Sequence, residues 1–320
     1  MRICMVGSGR MATNHSRALS GLPDVHLHTV VDPDREYAEA LKARFGYERA
    51  VASLDEALAA GECDAVVVCT PNRLHAPQCA AALRAGMHVL CEIPLALSLE
   101  EAEELGRLAE ERGLCLMVCH TNRFKAARAE LRRRIRSGAL HPVRLLGRFH
   151  LLRRGQLKTD YARRGWDDNA LWHHGCHAVD SVMDILGEHE PQGLHVQFGP
   201  VWPSLGIPLD VDLHWIARSP LTGEEVPVAI SISHNDPWGS HEYRVIGREE
   251  TLVEAEEQLL GQAGVLVDEP GADEAVRRQD AAFVAAVRDG RKPAVDVRAA
   301  LAAIRVLQAA WDVFAQGRAH

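Results

Sequence analysis

The chain has 320 residues, of which 47% are hydrophobic and 25% are charged, and its formal net charge is −8. These values describe an ordinary globular protein of about two domains, and they exclude a small scaffold that needs disulfides or metals to fold. An acidic chain has no general attraction for nucleic acid or anionic lipid, so the expected partner is a small molecule.

The eight cysteines include no CxxC pair, and most lie in apolar runs, as is typical of buried thiols in a reducing compartment. The closest pair, Cys115 and Cys119, is joined by the apolar segment LCLMVC, which favours a strand over a zinc site. The N-terminus lacks the apolar core of a signal peptide, and no apolar run reaches the roughly 18 residues of a membrane span. We therefore expect a cytoplasmic protein without membrane contact.

The first 120 residues alternate short apolar runs with longer amphipathic stretches, which predicts a parallel sheet covered by helices on both faces. Ser98 followed by Glu101 predicts a capping box at the start of one helix. This order of elements is typical of a doubly wound Rossmann domain, which we place at residues 1–122. The predicted strands are RICMVG, VHLHTVVD, DAVVVCTP, MHVLCEIP and LCLMVCH, and helices are expected near 10–20, 34–45, 73–86 and 98–113.

After about residue 140 the chain changes to longer segments with period-two alternation, which predict a large, mostly antiparallel sheet. The segments are PVRLLGRFHLL, GLHVQFGPVW, VDLHWIA, VPVAISISH and HEYRVIG, and helices are expected near 170–186, 272–289 and 297–315. Residues 123–320 are thus predicted to form an α+β domain. Such a sheet has one exposed face, and exposed faces usually pair, so we expect a homodimer or a homotetramer.

A glycine-rich loop follows the first predicted strand and opens the first helix. Gly7 and Gly9, with Ala12, match GxGxxA, in which glycine permits the tight turn and the close approach of backbone to a pyrophosphate. The phosphate charge then meets the N-terminus of the helix, where Arg10 and Met11 lie. The loop predicts a dinucleotide site.

An acidic residue follows the loop at the spacing expected of a ribose-binding carboxylate. Asp32 ends the second predicted strand, 25 positions after Gly7. Its charge would repel a 2′-phosphate, which favours NAD over NADP. Arg35, three residues later, weakens that preference and leaves NADP possible.

Four further motifs combine into a resemblance. They are Thr70-Pro71-Asn72-x-x-His75, Glu92-Ile93-Pro94, Arg123-Phe124 and His173-x-Gly175-x-His177-x-x-Asp180. Together they resemble the Gfo/Idh/MocA oxidoreductases, the family of glucose-fructose oxidoreductase and inositol dehydrogenase, over nearly the whole chain. The resemblance implies an NAD(P)-dependent dehydrogenase whose further cofactor contacts are Thr70, Pro71, Asn72, His75, Glu92, Ile93 and Pro94.

Two positions depart from the family pattern. The family usually has a lysine where this chain has Ile93, and an aspartate where it has His173. A dinucleotide-binding sensor that has lost turnover is one interpretation. However, the combined motifs are similar to a subgroup that oxidises the hemiacetal form of a small anionic semialdehyde to a lactone, in the breakdown of aromatic compounds. A sugar, cyclitol or keto-sugar oxidoreductase of the same family is the alternative.

Oxidising a hemiacetal needs a base that removes the hydroxyl proton while hydride leaves the carbon, and histidine titrates in the useful range. The resemblance implies that His177 is this base. His173, one helical turn earlier on the same face, is the alternative, and water and His120 also remain open. Histidines at i and i+4 with Asp180 could instead bind zinc, but hydride transfer needs no metal, and we expect none.

A carboxylate substrate needs cationic partners, and the planar fork of arginine suits carboxylates best. Arg123, Arg153 and Arg154 are predicted to supply them, although runs of arginine lie more often on solvated surfaces. The further predicted substrate contacts are His120, Trp172 and His174.

Overall fold

The computed structural model describes residues 1–153, 170–203, 205–269, 271 and 273–317. Its backbone divides into two compact units, residues 1–121 with 273–300 and residues 122–272 with 301–320. The predicted fold is confirmed, because one unit contains a six-stranded Rossmann sheet and the other a mostly antiparallel eight-stranded sheet. No helix within these described ranges is long and apolar enough to cross a membrane.

The Rossmann sheet has six parallel strands in the order β3-β2-β1-β4-β5-β6. The strands are β1 (Arg2–Val6), β2 (His26–Val31), β3 (Arg49–Val51), β4 (Ala65–Val68), β5 (His88–Cys91) and β6 (Leu116–Val118). They are continuous apolar runs because helices cover both faces, and all four residues of β4 are fully buried. The strand order reverses between β1 and β4, which is where such sheets bind ligands at their carboxyl ends.

The helices are α1 (Arg10–Ser20), α2 (Arg35–Phe45), α3 (Leu54–Ala60), α4 (His75–Arg84), α5 (Leu99–Arg112), α6 (Ala126–Arg136), α7 (Cys176–Leu186), α8 (Asp273–Asp289) and α9 (Val297–Gly317). The predicted capping box is confirmed at the start of α5, where Ser98 Oγ accepts from the Glu101 amide at 3.2 Å. Ser98 Oγ also donates to the Glu101 carboxylate at 3.2 Å. The α5 helix ends at Gly113 in the left-handed conformation, which glycine adopts without steric cost.

The second unit is built on a sheet with the strand order β16-β15-β14-β13-β7-β12-β11-β8. Its strands are β7 (Pro142–Leu152), β8 (Gln192–Phe198), β11 (Asp210–Arg218), β12 (Glu225–Ser233), β13 (Asn235–Gly247), β14 (Thr251–Ala255), β15 (Gln258–Gly261) and β16 (Gly264–Asp268). Two short strands, β9 (Val201–Trp202) and β10 (Ile207–Pro208), form a separate pair. Neighbouring strands run antiparallel except β7 and β12, which are parallel.

One face of this sheet is buried and the other is not. Along β12, Val226, Val228, Ile230 and Ile232 are buried, and the residues between them are half-buried or exposed. On the buried side, Arg128 of α6 is fully enclosed and donates from Nη2 to Glu254 of β14 at 3.0 Å. Removing one partner of such a buried pair costs about 3–5 kcal/mol, because the other charge stays buried and uncompensated.

Candidate active site

The glycine loop has the backbone geometry that the GxGxxA motif requires. Gly7 has a φ of +97°, and a Cβ built on it would lie 2.6 Å from the Cys69 carbonyl oxygen. Its amide donates to the Val31 carbonyl oxygen at 2.8 Å, which fixes the turn between β1 and α1. A Cβ on Gly9 meets nothing within 4 Å, so the chain leaves open space in front of this residue and the N-terminus of α1. Arg10 is exposed and Met11 half-buried in the first turn of that helix.

Asp32 lies beside this loop at the end of β2. One carboxylate oxygen accepts from the Ser8 amide at 3.0 Å and from the Ser8 hydroxyl, and the other accepts from the Asp34 amide at 2.9 Å. These donors orient the carboxylate, and Oδ1, which accepts only from the Asp34 amide, retains a lone pair that could accept from a ribose hydroxyl. Arg35, the first residue of α2, is exposed nearby in sequence.

Two further predicted cofactor segments are joined by a single histidine. His75 is fully buried at the start of α4, and its Nδ1 lies 2.7 Å from the Pro94 carbonyl oxygen while its Nε2 lies 2.8 Å from the Thr70 carbonyl oxygen. Burial lowers the pKa of His75, against the effect of the two carbonyls. His75 therefore holds the loop after β4 against the loop after β5. Pro71 is half-buried, and Asn72, Ile93 and Pro94 are buried in these loops.

Glu92, in the loop after β5, belongs to a buried network that the sequence analysis did not predict. One of its oxygens is 3.0 Å from His15 Nε2, and the other accepts from the Ile93 amide at 3.2 Å. His15 Nδ1 lies 2.8 Å from the carboxylate of Asp280 on α8. Burial works to lower the pKa of His15, but the charge of Asp280 and its hydrogen bond outweigh burial and raise this pKa well above the usual value. The charged imidazole thus fixes the carboxylate that precedes Ile93.

The same network brings three metal-ligating atoms together. Ligand atoms of His15, Glu92 and Cys119 lie within 4.8 Å of one another. A thiol must lose its proton to bind a metal, and burial raises the pKa of Cys119 well above its usual value. Both His15 nitrogens already contact carboxylates. These contacts favour an ion-paired network over a metal site.

The residues of this unit fit a dinucleotide. The turn at Gly7, the open space at Gly9, the free N-terminus of α1 and the oriented Asp32 carboxylate are the features that hold a pyrophosphate and an adenosine ribose. From this arrangement we propose that these residues bind the pyrophosphate and the adenosine ribose of the dinucleotide.

The predicted catalytic histidines lie at the start of α7 in the second unit. A π-helical turn, Leu171–Gly175, precedes the helix, a distortion that often occurs at functional sites. His173 and His177 are both half-buried, whereas the residues around them in this turn are buried. The two imidazoles therefore share the accessible side of the turn, as their spacing predicted. His120, the alternative base, is 1% exposed and lies after β6 in the first unit.

His174, between His173 and His177 in sequence, is buried. Its Nδ1 lies 2.7 Å from Nε2 of His234, which connects β12 to β13. Burial lowers the pKa of His174 well below its usual value, helped by His173, His234 and Arg153. Burial, together with the Arg153 charge, lowers the pKa of His234 to about 4. Both imidazoles are therefore neutral at pH 7, so one of them can donate and the other accept.

Phe149 of β7 packs against these rings. Its ring centre is 4.9 Å from that of His174, and 6.2 Å from that of His177 with the two planes nearly parallel. His241 of β13 lies 4.4 Å from Phe149, and burial, with Lys125 and His177, lowers its pKa well below the usual value. We refer to His173, His174, His177, His234 and His241 as the histidine cluster.

The structure places the predicted substrate-binding residues in different surroundings. Arg153 is half-buried directly after β7, its amide donates to the His234 carbonyl oxygen at 2.9 Å, and its charge acts on both His174 and His234. Arg123 instead faces carboxylates of its own chain, because Nε and Nη2 donate to Asp180 Oδ1 at 3.0 and 2.7 Å. Trp172 is 5% exposed. Arg154 lies outside the described residues.

Sequence reasoning missed four residues of these networks: His15, Asp280, His234 and His241. Each is isolated in sequence from the motif that it contacts, and Asp280 is 265 positions from His15. The one signal available in the chain was a polar residue within an otherwise apolar helical or strand pattern, which indicates a buried and paired group.

Comparisons with known proteins agree with this geometry. A model of an oxidoreductase family with an NAD-binding Rossmann fold, Gfo/Idh/MocA, matches residues 1–120, and one of bacterial oxidoreductase C-terminal domains matches residues 127–271. A 4-carboxy-2-hydroxymuconate-6-semialdehyde dehydrogenase from Sphingobium sp. is 32% identical over 96% of this chain and 96% of its own length. The chain belongs to the Gfo/Idh/MocA oxidoreductase family.

Other members of the Gfo/Idh/MocA family match less of the sequence or show the shared fold. Inositol 2-dehydrogenase from Rhizobium meliloti is 32% identical, but over 46% of this chain and 44% of its own. The crystal structure of GenD2 from gentamicin A biosynthesis, in complex with NAD, superimposes with a TM-score of 0.84 at 25% identity and covers 99% of this chain and 95% of its own. The predicted family and enzyme class are confirmed, and the chain is an NAD-dependent oxidoreductase.

Proposed function

We propose that this oxidoreductase oxidises the hemiacetal form of a small carboxylated semialdehyde to a lactone, with His177 as the base. The observation that carries the proposal is the histidine cluster, in which two half-buried imidazoles share one side of a turn and Arg153 acts on the same cluster. The relative that matches both halves of the chain is named for 4-carboxy-2-hydroxymuconate-6-semialdehyde, which supports this substrate class.

The chemistry divides between the cofactor and the chain. NAD supplies a hydride acceptor when it is bound. His177 would accept the proton of the hemiacetal hydroxyl as the carbon loses its hydride, and the product carries a carbonyl group in place of the C–OH group. Phe149 supports the His177 ring from one face, and His241 and His174 are its neutral neighbours.

Ile93 supports a hemiacetal over a simple alcohol. The family's usual lysine is replaced here by a side chain that is 4% exposed and apolar. The ring oxygen of a hemiacetal stabilises positive charge that develops on the reacting carbon, which reduces the need for an ammonium group. If this account is wrong, Ile93→Lys will give a large gain in activity on the same substrate.

Arg153 is the proposed partner of the substrate carboxylate. It lies half-buried next to the histidine cluster, and an arginine fork binds a carboxylate in two places. Arg123 is proposed as a positioning residue, because its Nε and Nη2 donate to Asp180. A carboxylated substrate requires a cation such as Arg153, whereas a neutral polyol does not.

The test is NADH formation from the ring-cleavage semialdehyde, measured at several pH values for wild type, His177→Asn, His173→Asn and Arg153→Met. We expect His177→Asn to lower kcat about 100-fold or more, since general-base catalysis contributes that much. Arg153→Met should raise KM about tenfold with a smaller effect on kcat, and Arg218→Met, which changes an exposed arginine of the same unit, should leave both unchanged.

The same assay decides between the substrate classes. Turnover of myo-inositol or glucose, with none of the semialdehyde, would replace the proposal by a sugar or cyclitol oxidoreductase. A larger loss in His173→Asn than in His177→Asn would move the base to His173. Binding of NADH without turnover of any of these substrates would favour a sensor.

A further inference from the structure

Cys63, two residues before the start of β4, differs from the other thiols in having several hydrogen-bonding partners. Its Sγ lies 3.6 Å from Nδ1 of His28 and 3.7 Å from the hydroxyl oxygen of Thr29, both on β2. On its other side, His28 Nε2 lies 3.4 Å from a carboxylate oxygen of Glu48. The three side chains form a thiol–imidazole–carboxylate series within the first unit, and nothing in the proposed oxidoreductase site uses them.

The surroundings of Cys63 stabilise the thiolate. A hydrogen bond from the Cys4 thiol, aided by Thr29 and His28 and opposed by partial burial, lowers the pKa of Cys63 to about 6. Cys115 provides the contrast, because burial without such partners raises its pKa to about 12. The same two cysteines are equally exposed, each at 8%. The difference between their pKa values therefore comes from their hydrogen-bonding partners and not from their exposure.

Cys63 also lines a cavity. The cavity has a volume of about 470 Å³ and opens at the edge of the Rossmann sheet where β1, β4 and β5 begin, opposite the edge that bears Gly7 and Asp32. Its titratable and charged lining groups besides Cys63 are the Met1 amino group, Asp24, Asp64, His88 and Arg288. His26 lies 3.6 Å from Glu48 at the outer end of the series. Cys63 therefore borders a polar cavity that is large enough for a small, uncharged reagent.

We propose that Cys63 is a modification site at which the thiolate is oxidised by a hydroperoxide to a sulfenic acid, with His28 as the proton donor. The sulfur attacks one peroxide oxygen, an S–O bond forms and the O–O bond breaks, so two electrons pass from sulfur to the peroxide. The departing hydroxide or alkoxide takes a proton from His28 and leaves as water or an alcohol. The Glu48 carboxylate lies 3.4 Å from His28 Nε2 and orients the imidazole for this transfer.

The small exposed fraction of Cys63 favours a hydroperoxide over larger electrophiles. A bulky disulfide such as oxidised glutathione needs a sulfur that is open to in-line attack, whereas hydrogen peroxide is about the size of two waters. Thr29 and His28 lie at hydrogen-bonding distance from the sulfur and can orient the peroxide oxygens.

The test treats the reduced, full-length protein with hydrogen peroxide at pH 7, traps sulfenic acid with dimedone and quantifies each cysteine peptide by mass spectrometry. We expect Cys63 to be labelled at least about tenfold faster than Cys115, its control of equal exposure. His28→Asn should slow labelling of Cys63 without changing Cys115. Glu48→Gln alters a half-exposed carboxylate, keeps the fold and should slow labelling of Cys63 by a smaller factor.

A second measurement does not depend on these variants. The rate of alkylation of Cys63 in the wild-type protein by iodoacetamide should rise with pH to a plateau, with its midpoint near 6. Equal labelling of Cys63 and Cys115 by peroxide would overturn the proposal. So would an alkylation midpoint at or above about 8.5, the value of an ordinary thiol.

Discussion

Gly7 and Gly9 of the same loop have different roles, one in the fold and one in cofactor binding. A matched pair of alanine substitutions distinguishes these roles. Gly7 has a positive φ and a carbonyl oxygen 2.6 Å from its would-be Cβ, so Gly7→Ala must strain or displace the β1–α1 turn. Gly9 has a negative φ and open space in front of it, so Gly9→Ala leaves the fold intact and places a methyl group where the pyrophosphate backbone contact would form.

We expect Gly7→Ala to lower the melting temperature, and Gly9→Ala to leave it unchanged while weakening NAD binding about tenfold or more. Thermal unfolding and titration with NADH, followed by fluorescence, measure the two effects separately. Unchanged NADH affinity in folded Gly9→Ala would mean that the cofactor does not approach this loop.

Among individual residues, the sequence predicted those site residues whose positions depend on local spacing along the chain. Gly7 and Asp32 were recognisable because a fixed interval between strand, loop and acid is built into the fold. The Asp280–His15 and His234–His174 contacts join residues 265 and 60 positions apart, and no local pattern encodes such distances. Arg123 shows why a binding role is hard to predict from residue type alone. An arginine that could bind a substrate carboxylate can equally bind a carboxylate of its own chain, here that of Asp180.

At the scale of elements, the contact between the turn before α7 and the β12–β13 connection makes stability depend on pH. The pKa of His234 falls from its usual value to about 4 on folding, so the folded state binds fewer protons than the unfolded state between these two values. The contribution of His234 to the free energy of unfolding is therefore complete above the pKa of the unfolded state, and it is lost as the pH falls toward about 4. His174 changes in the same direction.

We expect His234 alone to cost about 2 kcal/mol of unfolding free energy between pH 7 and pH 5, by linkage from the two pKa values. Urea unfolding at both pH values measures this loss. In His234→Gln, which keeps a hydrogen-bonding partner for His174 but does not titrate, the loss should shrink by that amount. An identical pH dependence in the variant would contradict the assigned cause.

Elements with a long, regular pattern were predicted closely. The segment PVRLLGRFHLL coincides with β7, and the helix expected at 10–20 coincides with α1. The sequence pattern did not indicate β3, a strand of three residues, or β14, β15 and β16, which have four or five. A strand so short has too few alternations for its period to be recognised.

At the scale of the whole molecule, the chain order does not match the division into compact units. Residues 273–300, which include α8, group with the first 121 residues. Asp280 of α8 supplies the carboxylate that charges His15, so this late segment completes a network in the Rossmann unit. Amphipathic periodicity predicted the helix itself, but a helix pattern shows which face is apolar and not which sheet covers it.

The unburied face of the eight-stranded sheet favours self-association. Leu146 of β7 lies opposite Ala229 of β12 on this face, and both are half-buried within a single chain. Arg148 is paired in register with Glu242 of β13, so the face has both signs of charge around an apolar centre. A patch with these properties can be self-complementary about a two-fold axis, as a homodimer interface must be.

We therefore expect light scattering coupled to gel filtration to give at least twice the mass of one chain at micromolar concentration. Ala229→Arg should shift the protein toward the monomer, because two copies would bring like charges together at the apolar centre of the interface. Ser137→Arg adds the same charge at the exposed end of α6 and should leave the mass unchanged. A wild-type protein with the mass of one chain would show that the apolar centre at Leu146 and Ala229 is too small to associate. In that case the charged residues around it, Arg148 and Glu242, would serve to keep this face solvated.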